Sequence, residues 1–137
     1  MYLTIDNNSE VLTILDPPWT KVEESLKQID PTTKCYFILT SDSGSYIQCA
    51  GSKETLTIEL RETKDDTFKH YVIGKGDGEN SLGTVWQTID CRVGPIRVHG
   101  NEVLDLNDAV VNFKWFFSDS KQLTEYRKRN VSKGHQS

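Results

Sequence analysis

Residues 55–62 read Thr-Leu-Thr-Ile-Glu-Leu-Arg-Glu, and the alternation of this stretch decides the fold. Successive side chains of a strand point to opposite faces. Leu56, Ile58 and Leu60 therefore share one face, and Thr57, Glu59 and Arg61 share the other. Such alternation marks a half-buried antiparallel strand. Lys64-Asp65-Asp66 supplies turn chemistry after it, and residues 68–73 form the next strand. Upstream, the apolar run 35–39 is closed by Ser41-Asp42-Ser43-Gly44, and residues 46–50 continue as a strand. Short connections between consecutive strands imply a meander.

Outward from this centre, residues 2–5 and 11–15 are β-prone runs around the polar turn Asp6-Asn7-Asn8-Ser9. Pro17-Pro18 suits the entry to a helix. Trp19, Val22, Leu26 and Ile29 then recur at three- and four-residue steps, an amphipathic helix ended by Asp30-Pro31. A glycine-rich stretch at 74–83 reads as a flexible hairpin loop, with further strands at 84–89 and 95–99. Asp105 and Asp108 offer capping oxygens and early negative charge for a second helix. Its residues 109–117 are apolar nearly all round. The expected fold is α+β: an antiparallel meander of about six strands, with the N-terminal and late helices packed on one face. Residues 1–137 form a single domain, in which 118–137 is a polar, loose tail carrying Arg127-Lys128-Arg129.

With 36% hydrophobic residues, five Phe, five Tyr and three Trp, the chain can build a core. Its net charge of -4 argues against nucleic acid and fits a basic partner better. Cys35, Cys49 and Cys91 are an odd number at wide spacing, which reads as buried, reduced thiols in a cytoplasmic protein. No paired ligands suggest zinc, and no apolar run approaches the roughly eighteen residues of a membrane span. The first residues lack the basic region of a signal peptide.

No catalytic signature emerges. The loop at 74–79 lacks the Lys-Ser/Thr pair of a phosphate loop and the ligand order of a calcium loop. Cys49 or Asp66 with His70 is the one conceivable hydrolytic grouping, and nothing in the spacing specifies it. No cofactor is implied. What stands out is the sheet face away from the helices, where Tyr46, Gln48, Glu59, Arg61, His70 or Tyr71, and Trp86 gather contact-forming chemistry. An ordinary solvated sheet accounts for any one of them singly. If they dock a partner, replacing Glu59 or Arg61 by alanine weakens binding and leaves folding intact.

The strings Gly44-Ser45-Tyr46-Ile47-Gln48-Cys49-Ala50-Gly51, Ile58-Glu59-Leu60-Arg61 and His70-Tyr71, with Asp108-Ala109 before Phe113, Phe116 and Phe117, resemble a known family. It is the first-numbered immunity-protein family of bacterial polymorphic toxin systems, and the likeness spans residues 19–117. The resemblance implies a protein without catalytic residues that binds a cognate toxin domain and neutralises it by steric occlusion. The extension before Trp19, the glycine-rich loop and the basic tail depart from the family pattern and leave the docking mode open. The competing reading is a small cytoplasmic protein–protein adaptor or structural subunit unrelated to toxins. Neither reading fixes the oligomeric state.

Overall fold

The computed structural model describes residues 1–76, 85–122 and 124–132. Strands β1 (Tyr2–Asn7), β2 (Glu10–Leu15), β3 (Tyr36–Thr40), β4 (Tyr46–Gly51), β5 (Leu56–Lys64), β6 (Thr67–Lys75) and β9 (Tyr126–Asn130) form a seven-stranded antiparallel sheet. Its order is β2-β1-β3-β4-β5-β6-β9. Strands β7 (Trp86–Ile89) and β8 (Ile96–His99) pair separately as a two-stranded hairpin. Helix α1 is Trp19–Leu26 and α2 is Leu106–Ser118. The general α+β expectation holds, with a larger main sheet than the meander alone supplies.

Turn chemistry sets the register. Asn8 and Ser9 both adopt positive φ, the mirror-image two-residue turn whose twist matches its flanking strands. Asp65, also at positive φ, closes β5 onto β6 so that Thr63 faces Phe68 and Arg61 faces His70. Asp105 caps α2 through the backbone N–H of Asp108, whose carboxylate accepts in return from the N–H of Asp105.

Both helices cover one sheet face. Val22, Leu26, Ala109 and Phe113 join Leu3, Phe37, Leu39, Ile47, Ile58 and Leu60 in a single buried cluster. The alternation at 55–62 is realised directly, with Leu56, Ile58 and Leu60 at most 1% exposed. The opposite face is half covered by the β7–β8 hairpin, where Ile89 and Val98 pack on Val72. Gly51 and Gly74 permit the close approach. A Cβ on Gly51 would stand 2.8 Å from the Ile89 side chain, and one on Gly74 2.8 Å from that of Asn101.

Two ties pin this hairpin across the sheet. Cys35 and Cys91 form a disulfide with a Cα–Cα distance of 5.4 Å, which corrects the expectation of reduced thiols at both positions. The chain brings the end of β7 over the start of β3, a proximity that linear spacing does not encode. Beside it, fully buried Asp6 receives the Arg92 guanidinium and the Cys35 N–H. Only Cys49 is free among the cysteines.

The expected loose tail is also corrected, because 126–130 is an ordered edge strand. Tyr126 is buried and donates its hydroxyl to Asp108 at 2.7 Å, while Arg129 makes paired hydrogen bonds to buried Glu102. Charge pairing rather than apolar alternation holds this strand. Of the expected glycine-rich loop 74–83, Gly74 and Lys75 belong to β6 and residues 77–83 lie outside the described residues, as does Thr84 of the expected strand 84–89. Among the described residues no helix is long and apolar enough to cross a membrane.

Closing a loop between positions 35 and 91 restricts the unfolded chain, so Cys91→Ser should lower stability by about 2–4 kcal/mol. Urea unfolding with and without reductant checks this; an unchanged midpoint would count against the tie. Asp108 supplies a pH test. Burial pushes its carboxyl up, but the Tyr126 hydroxyl, the Asp105 N–H and Lys75 outweigh burial and hold it below the ordinary value of 3.8. Its stabilising contribution is therefore complete above the unfolded value and lost as pH falls through the lower folded value. Acid titration of stability should be shallower in Asp108→Asn than in the wild type; identical slopes would refute the assignment.

Candidate functional site

Pairing register places the singled-out residues on the sheet. Antiparallel partners directly opposite share a face, so one row runs Tyr46–Arg61–His70 and the next runs Gln48–Glu59–Val72–Arg129. These rows lie on the face bearing the β7–β8 hairpin, opposite the helices. Val72 is under the hairpin, whereas Tyr46, Arg61 and Phe68 remain half-buried at the uncovered end.

A chain of hydrogen bonds orders this end. The Arg61 Nε–H donates to His70 Nδ1 at 3.1 Å. An arginine only donates, so Nδ1 is the accepting nitrogen and the ring proton sits on Nε2. That proton is directed at Glu59 Oε1, 2.7 Å away. Glu59 Oε2 accepts from the Gln48 amide at 2.8 Å. The backbone of His70 is fixed as well, donating to the Ser132 hydroxyl and accepting from the Val131 N–H. The Arg61 guanidinium lies 4.0 Å from the Phe68 ring centroid and 5.5 Å from that of Tyr46. Stacking on two rings adds cation–π attraction and limits the rotamers of a long side chain.

Of the seven singled-out positions, Tyr46, Gln48, Glu59, Arg61 and His70 come together. Their roles differ: Tyr46 and Arg61 form the outer layer, while His70, 1% exposed, and Glu59 support it from beneath. Tyr71 points to the helix face, where it packs on the main core and under the Lys128 ammonium. Trp86 sits on the hairpin, 50% exposed, against His99 and between the Arg97 and Arg129 guanidinium groups. Arg129 links it to the Glu59 row. Phe68 was not among the seven, yet it lies closest under Arg61. A two-residue turn at 65–66 is the signal that would have placed it diagonally across from Arg61.

The hydrolytic grouping does not assemble. Cys49 belongs to the helix-face cluster, on the other side of the sheet from His70, and burial pushes its thiol up to about 12. Asp66 is exposed in its turn while His70 is buried. A cleft of about 890 Å³ at the end of the sheet is lined in part by Trp115 and Phe116 of α2 and by Ser41, Lys69 and Phe68; it reaches Phe68 but contains none of the seven positions. Among the described residues no three His, Cys, Asp or Glu side chains converge to hold a metal ion.

Glu59 thus carries structural duty that its strand position alone did not suggest. Glu59→Ala removes the acceptor of two side-chain hydrogen bonds and should cost about 1–3 kcal/mol, against the expectation that folding is untouched. Glu59→Gln, which keeps one acceptor oxygen, should lose less. Chemical denaturation of both variants measures this, and an Ala variant as stable as wild type would remove Glu59 from the framework. No protein-family model, curated protein or solved structure matches this chain.

Proposed function

We propose that this protein is a non-catalytic binding domain that neutralises a cognate bacterial toxin domain, covering the toxin with the open end of the hairpin-bearing sheet face. The observation that carries the reading is the ordered Tyr46–Arg61–Phe68 layer, held from beneath by His70 and Glu59. Aromatic and arginine side chains dominate the energetics of protein interfaces. Here their conformations are restrained before any partner arrives, which reduces the ordering cost of binding. The groups beneath them, Glu59 and His70, are bonded to each other and to Gln48 and Arg61.

The likeness in the strings around Tyr46, Glu59, Arg61 and His70 gives this binding domain its biological assignment. Neutralisation then works by occlusion. A standard interface covers about 800 Å² on each partner, roughly a tenth of a small protein's surface. The accessible surface of this chain is 7776 Å², so such an interface would occupy about a tenth of it. The net charge of -4 favours encounter with a basic domain and lets short-range contacts set the docked orientation.

The test is co-purification of the tagged chain with the C-terminal domain of a toxin encoded beside it. A stable complex and protection of cells expressing that domain are expected. No complex at micromolar concentrations, or a complex that leaves the cells unprotected, would shift the reading to an adaptor for an unrelated protein.

A further inference from the structure

We propose that Arg61 is a preset carboxylate anchor, whose two terminal nitrogens receive an Asp or Glu side chain of the partner protein. This rests on the reading that the open sheet face docks a protein, and it names the chemistry of that contact. Nε is already committed to His70 Nδ1, and the plane of the guanidinium is set by Phe68 and Tyr46. Among the described residues no acceptor meets Nη1 or Nη2. Those two nitrogens form a planar pair of donors whose spacing matches the two oxygens of a carboxylate.

The supporting layer is built to keep that pair in place. His70 cannot swing, because Nε2 is held by Glu59 and its backbone is bonded to Val131 and Ser132. Gln48 in turn holds the second oxygen of Glu59. The aromatic rings flanking Arg61 exclude water once a partner covers them, and a charged hydrogen bond strengthens in such surroundings.

Charge selects a carboxylate over a phosphate. A single guanidinium, backed through His70 by the Glu59 carboxylate, matches one negative charge. Phosphate-rich partners need clustered cations. Of the neighbouring rim arginines, Arg129 is engaged with Glu102 and Arg127 with the Thr124 carbonyl, while Arg97 lies over the Trp86 ring on the hairpin.

Binding of the toxin domain encoded beside the gene is measured for the wild type, Arg61→Lys and Arg61→Ala, with thermal unfolding of each chain as the folding control. Lysine keeps the charge and loses the planar pair, so affinity should fall about tenfold or more. Alanine should cost roughly thirtyfold or more. A lysine variant that binds like the wild type overturns the anchor. If the wild type itself binds no toxin domain, the neutralisation reading fails, and the anchor is judged on the free chain. There the Arg61 Nε–Hε resonance is followed in sodium acetate and in sodium phosphate. A saturable response that is larger for acetate supports the anchor; no response to acetate, or a larger one to phosphate, overturns it.

Discussion

Asp6 has no exposed surface, and it holds the Arg92 side chain and the Cys35 amide on one carboxylate. A buried carboxylate is tolerated only when its charge and lone pairs are met. Meeting them here draws the β7–β8 hairpin onto the end of β1 and the start of β3, where the Cys35–Cys91 disulfide locks it. The second sheet face is consequently covered at one end and open at the other. Ala50, Val72 and Gly74 lie beneath the cover, while Tyr46, Arg61 and Phe68 lie beyond it. The tie at Asp6 thereby sets which end of this face stays open, and so bounds the candidate site without touching it.

Alternation along 55–62 was enough to divide the sheet into two faces and to put Glu59 and Arg61 on the same one. It could not reveal which outward-facing residues another layer would cover, since that depends on contacts between β7–β8 and distant strands. Parity was ambiguous for His70 and Tyr71, and the turn at 65–66 resolves it: His70 pairs opposite Arg61, and Tyr71 turns to the helices. The cysteine pairing was illegible because positions 35 and 91 meet only through tertiary folding. Strand β9 was hidden for another reason. Tyr-Arg-Lys-Arg-Asn has little apolar alternation, and its order comes from Asp108 and Glu102, acceptors on other elements.

The two edges of the main sheet contrast sharply. On β9 the charged side chains discourage pairing with another chain. On β2, Val11, Leu12 and Leu15 are 57%, 43% and 76% exposed, an apolar edge of the kind that can accept a strand. This edge is the chief physical rival of the Arg61 face as a docking surface. The difference lies in preparation: Val11, Leu12 and Leu15 of β2 stand in solvent, whereas Arg61 is restrained on three sides by Phe68, Tyr46 and His70.

Hydroxyl-radical footprinting of the chain, free and in complex with its partner, separates the two surfaces most directly. Oxidation of Tyr46 and Phe68 should fall on binding while that of Leu12 and Leu15 stays unchanged. Protection of Leu12 and Leu15, with Tyr46 and Phe68 still oxidised at the free rate, would contradict the assignment of the Arg61 face as the site of docking.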